Sequence, residues 1–175
     1  MILSPEELLS QPEFSQENQE SLTRKLEGLE QLIRAYTNNN FQLRAVRFWA
    51  VSNGDKLLGS SPYLAVGDRV EITDSLVNDG LYTVTAMDSE TTTLDKPLYI
   101  QPRNLVTKVV YPADVKAGVL NLLKWEVEHR DKVGVKSETL SRHSVTYFDQ
   151  DASNTVMGYP VSLLGFLKPY RKARF

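Results

Sequence analysis

Hydrophobic residues follow two different rhythms along this chain, and the change of rhythm divides it. In the first forty residues Leu22, Leu26, Leu29, Ile33 and Tyr36 recur at steps of four, three, four and three, which places them on one face of a helix. Glu20, Arg24, Lys25, Glu27 and Glu30 fall on the wet side. The helix is expected to open at Ser15, close after Pro12, and to end at Asn38-Asn39-Asn40. A short helix precedes it. In SPEELLS, Ser4 is placed as an N-cap, Pro5 suits the first helical position, and Glu6 and Glu7 favour the positive dipole end. Gln11-Pro12 stops it.

From Phe41 to Val110 the period shortens to two. LRAVRFWAV, VGDRVEITD, GLYTVTAMD and NLVTKVV are rich in β-branched and aromatic residues, and TTTLD (Thr91 to Asp95) fits as a fifth short strand before Pro97. Ser52 to Asp55, Asn78-Asp79-Gly80 and Asp88-Ser89-Glu90 read as turns between them. Five short strands in this length predict a small closed or half-closed barrel.

Helical spacing returns at Tyr111. Pro112 starts a helix whose broad apolar face is Val115, Val119, Leu120, Leu122, Leu123 and Val127, with Trp125 as a large anchor. Asp131, Lys132 and Gly134 end it. A last short helix is expected from Pro160 to Leu167, with Pro169 disrupting its end. The pattern predicts an α+β protein, a helical module (1–40 and 111–175) interrupted by an inserted β-barrel domain (41–110).

Composition narrows the function. A 41% share of hydrophobic residues and 24% of charged ones, over 175 residues, suits a globular domain. The net charge of −2 gives no global pull toward nucleic acid or anionic membrane. Charge is uneven, however. Met1 to Asn40 carries seven acids against Arg24, Lys25 and Arg34, whereas Leu163 to Phe175 carries Lys168, Arg171, Lys172 and Arg174 and no acid. The absence of cysteine excludes thiolate chemistry. No apolar run is long enough to span a bilayer, and the acidic start does not resemble a signal peptide. These features predict a soluble intracellular protein.

Candidate chemistry concentrates in KSETLSRHSVTYFD, Lys136 to Asp149. A nucleophilic serine needs a histidine in hydrogen-bond reach and a third group to orient it. His143 and Ser144 would point to opposite faces of a strand, and Ser141 shares a face with His143. No G-x-S-x-G elbow or oxyanion loop accompanies them. The stretch from Leu140 to Phe148 reads instead as one strand at a rim or edge, with backbone groups to offer a neighbouring chain. His129 and His143 stand in no metal-binding frame, and no phosphate loop is present; no cofactor is expected. Arg44, Arg47, Phe48, Trp49 and Arg69 could form a basic-aromatic surface, so a nucleic-acid-binding small β-barrel is the alternative reading. Eight carboxylates of the same region oppose it. In KPYRKARF, Tyr170 and Phe175 interleave with the four bases, a composition of interface anchors.

Three stretches together carry a family resemblance: YPADVKAGVLNLLKWEVEHRD, then VKSETLSRHSVTYFD, then GYPVSLLGFLKPYRKARF. With the opening LSPEELLSQPEF, they resemble the head–tail connector (adaptor, or head-completion) proteins of long-tailed bacteriophages. The likeness covers residues 1–40 and 111–175. Ser141 stands where the family pattern often has glycine, and the β unit is similar to barrel insertions of some relatives. The resemblance implies a small connector-like helical bundle interrupted by a five-stranded SH3-like barrel. It implies a non-enzymatic virion protein at the head–tail interface, present in host cytoplasm during assembly. Its partners would be the portal protein, the next tail-side (stopper) component and copies of itself in a ring, commonly a dodecamer. DNA would pass through the lumen without sequence-specific binding, and no membrane is involved. By position, Lys168, Tyr170, Arg171, Lys172, Arg174 and Phe175 would meet the portal. Ser137, Glu138, Ser141, Arg142, His143 and Tyr147 would face the lumen or the neighbouring subunit.

Overall fold

A one-turn helix, α1 (Pro5–Leu9), follows Ser4. Ser4 takes the N-cap position by backbone alone, since its hydroxyl donates to the Glu6 carboxylate rather than capping an amide. After a 3-10 turn at Pro12–Phe14, α2 spans Gln19–Thr37. It opens at Asn18 and not at Ser15. The Asn18 side chain accepts from the amides of Glu20 (2.8 Å) and Ser21 (3.4 Å), which satisfies two otherwise orphaned donors. The Ser15 hydroxyl is turned back onto the Pro12 carbonyl. α2 ends where Asn38 enters the left-handed region (φ 50°), a conformation asparagine tolerates.

The computed structural model describes residues 1–129, 137–140, 143–146 and 155–173. Two compact units emerge, one of Met1 with Asn40–Tyr111 and one of Ile2–Asn39 with Pro112–Phe175.

In the first unit, β1 (Gln42–Leu58), β2 (Arg69–Thr73), β3 (Gly80–Met87) and β4 (Thr91–Val109) form one antiparallel sheet in the order β1-β4-β2-β3, with β3 also pairing β4. This overturns the expected five-stranded SH3-like barrel. TTTLD and NLVTKVV are the two ends of a single 19-residue β4. Pro97 does not break it, because β3 pairs only near Thr92–Leu94 and β2 only at Leu105–Val109. The middle of β4 has a neighbour on one side, where a missing N–H is tolerated. Ser52–Asp55, read as a turn, lies inside the 17-residue β1. Gly54 (φ 67°) takes up the register shifts on both its sides, as at a β-bulge.

Val46, Leu57, Val70, Ile72, Val84, Leu94 and Val106 form the core of this sheet. A polar network is sealed beside it. Asn104, wholly buried, donates to the Ala50 carbonyl (3.0 Å), and its Oδ1 accepts from Ser75 Oγ (2.7 Å) and Asn78 Nδ2 (3.1 Å). Asn78 also grips the backbone of Tyr99 from both sides, accepting from its amide and donating to its carbonyl, each at 2.8 Å. Ser52 Oγ accepts from Asn78 Nδ2 (3.1 Å) and from the Gln101 amide (3.0 Å). Among the described residues no buried side-chain polar atom lacks a partner, so the β2–β3 loop is held to the middle of β4 by satisfied bonds.

The second unit is not a helical bundle. Beyond α1 and α2, its described residues hold one further α-helix, α3 (Ala113–His129), two small ribbons, β5 (Ser137–Leu140) with β6 (His143–Thr146) and β7 (Thr155–Val156) with β8 (Tyr159–Pro160), and a 3-10 run, Val161–Tyr170. The last segment carries Gly165 and Pro169, residues poor at sustaining an α-helix. Leu22, Leu26, Leu29 and Ile33 are buried as their period requires, and so are Val115, Val119, Leu122 and Leu123. Glu30, assigned to the wet side, is buried too (1% exposed). A single strand is expected from Leu140 to Phe148; among the described residues β5 and β6 instead pair antiparallel with each other, Ser137 opposite Thr146 and Leu140 opposite His143.

Candidate functional site

The basic C-terminal stretch is where chemistry-bearing side chains and fold meet. Leu164 and Leu167 are buried, and Phe166 lies against Gly118 of α3. With these apolar residues turned inward, Lys168 and Pro169 are left exposed. Beyond them the chain leaves the 3-10 run in extended form at Arg171 (ψ 127°) and is strapped to the end of α2. The Lys172 amide donates to the Thr37 carbonyl (2.8 Å). Asn39 Nδ2 donates to the Tyr170 carbonyl (3.2 Å) and Asn38 Nδ2 to the Ala173 carbonyl (2.8 Å). The Arg171 guanidinium sits 5.1 Å from the Tyr36 ring centroid, within cation–π range.

Tyr170 turns toward α3. Its hydroxyl donates to both oxygens of Asp114, at 2.7 and 2.8 Å. Asp114 lies in the first turn of α3, where a carboxylate is favoured by the helix dipole. The hydrogen bond to Asp114 pushes the Tyr170 phenol above its ordinary pKa, with burial and the carboxylate's charge adding to it. Nearby in sequence, Lys124 of α3 reaches Glu13 (2.6 Å) and lowers that carboxyl's pKa through the hydrogen bond.

Lys168, Arg171 and Lys172 are exposed, and among the described residues none of them pairs with a carboxylate. Of the six C-terminal residues singled out from sequence, these three and Tyr170 therefore share one strip; Arg174 and Phe175 lie outside the described residues. Of the other six, Ser137, Glu138 and His143 belong to the β5–β6 ribbon, while Ser141, Arg142 and Tyr147 lie outside the described residues. Sequence reasoning missed Tyr36, Asn38, Asn39 and Asp114. The signal for two of them was present, since three successive asparagines after a helix offer more side-chain amides than a stop needs.

His129 lies in the last turn of α3; the stop expected at Asp131, Lys132 and Gly134 falls outside the described residues. The His129 ring stacks on Trp125 (5.8 Å, 6°), and Nδ1 lies 3.2 Å from the Trp125 carbonyl. Trp125 also meets Tyr159 (5.6 Å), whose hydroxyl donates to Glu126 (2.5 Å). Among the described residues no group of three or more His, Cys, Asp or Glu side chains could hold a metal ion, and no helix is long and apolar enough to cross a membrane.

The five residues of the alternative basic-aromatic surface are not brought together. Arg69 is buried, donating to Thr83 Oγ1 (2.9 Å) and lying 4.0 Å from Asp95. Phe48 packs on the sheet core. Arg44, Arg47 and Trp49 are exposed on β1. Arg47 bonds Thr107 (2.8 Å) and Gln42 (3.0 Å), and Arg103 of β4 covers the Trp49 ring at 4.1 Å.

No protein-family model matches the chain, and no curated protein is similar to it in sequence.

Proposed function

We propose that this chain is a non-enzymatic structural virion protein, a head–tail connector that packs as a ring beneath the portal and continues the DNA channel toward the tail. The reading starts from the resemblance carried by residues 1–40 and 111–175. What supports it is the strapped C-terminal strip. A merely solubilising tail would be frayed, whereas here Tyr170, Arg171 and Lys172 are fixed by Asp114, Tyr36 and Thr37. Three cations that pair with no carboxylate among the described residues are thus presented on an ordered surface, which is suited to an acidic partner face because little side-chain and backbone freedom is lost on docking. The portal protein is that partner in this proposal, and the segment beyond Ala173 extends the contact.

The test is the mass of the complex by light scattering, with the protein alone and then mixed with the portal assembly. Recruitment of several copies onto each portal, weakened by Lys168→Glu, is the expected result. A protein whose scattering is unchanged by the portal is not a connector.

A further inference from the structure

We infer that the β2–β3 loop and the outer face of β1 are the two halves of a head-to-tail contact between copies of this chain, the loop of one copy docking on β1 of the next. This deepens the connector reading and rests on it for the closure of the ring.

The loop is the first half. Leu76 is 92% exposed, Val77 beside it is exposed, and Tyr99 and Ile100 of β4 are each more than 70% exposed. Asn78 bonds both backbone groups of Tyr99, so these four apolar side chains belong to one place. They are not on a loose loop. Ser75 and Asn78 are buried, and Asn104 and Ser52 tie them down. Leu76 holds φ at 69°, a region that disfavours leucine. A rigid tip that displays leucine against local preference marks a contact surface.

Charge identifies the occupant. From Thr73 to Gly80 the loop carries Asp74 and Asp79 and no cation. β1 carries Arg44, Arg47 and Lys56 against the single carboxylate Asp55, with Arg103 laid over Trp49. Trp49 and Val51 are 46% and 40% exposed. An acidic apolar tip and a cationic apolar strand face are complementary, and both are exposed on the same unit. β1 is moreover an edge strand of that sheet. Two different surfaces that match each other make a heterologous contact, which closes into a ring or runs on as a filament.

The experiment needs no portal, so its failure and that of the connector reading are distinguishable. Sedimentation of the full chain over about 10 μM to 1 mM reads contacts of moderate affinity. The wild type is expected to associate with rising concentration, and Leu76→Asn and Arg103→Glu are each expected to weaken this at least about tenfold. Asparagine tolerates the backbone at residue 76 and Arg103 is exposed, so both variants keep the fold. The decisive arm mixes the two. Each retains one intact half, so the mixture should form dimers and nothing larger. A wild type still monomeric at the highest concentration, or a mixture that stays monomeric, overturns the proposal. So does an Arg103→Glu variant that self-associates normally while losing salt-dependent binding to a DNA duplex, which would assign the β1 face to nucleic acid.

Discussion

The ring of Phe166 lies so close over Gly118 that a Cβ on that glycine would fall 2.5 Å from three ring carbons. α3 and the C-terminal 3-10 run therefore meet through the one side chain α3 lacks. Leu164 and Leu167, both buried, hold the run on either side of the ring. Gly118→Ala gains up to about 1 kcal/mol in helix propensity, but overpacking costs about 1–3 kcal/mol. A net loss of stability of about 1 kcal/mol is expected in the denaturant midpoint. Phe166→Leu should recover part of it, because the two effects share a contact. A Gly118→Ala protein more stable than wild type would contradict the contact.

Asn78 makes four bonds from one buried side chain, to Ser52, Asn104 and both backbone groups of Tyr99. Asn78→Ala leaves several buried partners unpaired, each worth roughly 1–3 kcal/mol. The expected loss is about 2–4 kcal/mol, larger than surface substitutions cause. Hydrogen exchange at the Tyr99 amide is the local readout. Unchanged protection there would mean that Asn78 does not hold the strand.

How far the sequence discloses this fold depends on which breakers act as breaks. The spacing of Leu22, Leu26, Leu29 and Ile33 states a buried helical face without ambiguity, and all four are buried. Gly54 and Pro97 mislead, since both are strong turn signals and both sit inside long strands. Whether such a residue interrupts a strand is decided by where the partners pair, β3 at Thr92–Leu94 and β2 at Leu105–Val109 of β4, and pairing is non-local. The basic strip is legible from KPYRKARF, yet its anchors are not. Asn38 and Asn39 meet the tail across more than 130 residues of chain. Leu76 reads as one apolar residue in a turn, and only its exposure and backbone angle single it out.

The Tyr170 phenol, donating to Asp114, is held above its ordinary value of 10.0. The protonated form is the one the fold favours. Its contribution is complete below pH 10.0 and is lost as pH rises through the higher folded value. A difference titration of wild type against Tyr170→Phe, followed by the phenolate absorbance, should place this group above 10.0. Asp114→Asn should bring it back down. A Tyr170 that titrates alike in both proteins would show that the hydrogen bond is not maintained in solution.

Removing Arg171 to Phe175 takes away more than a tail. The Thr37 carbonyl loses the Lys172 amide, Asn38 loses the Ala173 carbonyl, and Tyr36 loses its guanidinium. At about 1 kcal/mol per hydrogen bond, the truncated protein should be less stable by about 1–3 kcal/mol, seen as a lower unfolding midpoint. Lys168→Glu separates docking from folding. The side chain is exposed, so stability should stay within about 0.5 kcal/mol while portal recruitment falls. Truncation without loss of stability would mean that the strap carries no weight.

Leu76 pays for its exposure twice, with an apolar side chain in water and a left-handed backbone at φ 69°. That backbone disfavours an L-residue by about 1–2 kcal/mol, whereas asparagine adopts it with less strain. Nothing is packed on the side chain in the isolated chain, since it is 92% exposed. Leu76→Asn should therefore stabilise the monomer, by about 0.5–1 kcal/mol. Val77→Asn is the control, because Val77 has no positive φ and should show no such gain. The same Leu76→Asn protein is expected to self-associate less. Higher stability together with weaker association separates what the residue does for the fold from what it does for a contact. If the variant is no more stable than wild type, the leucine is not strained, and its conformation does not mark a contact.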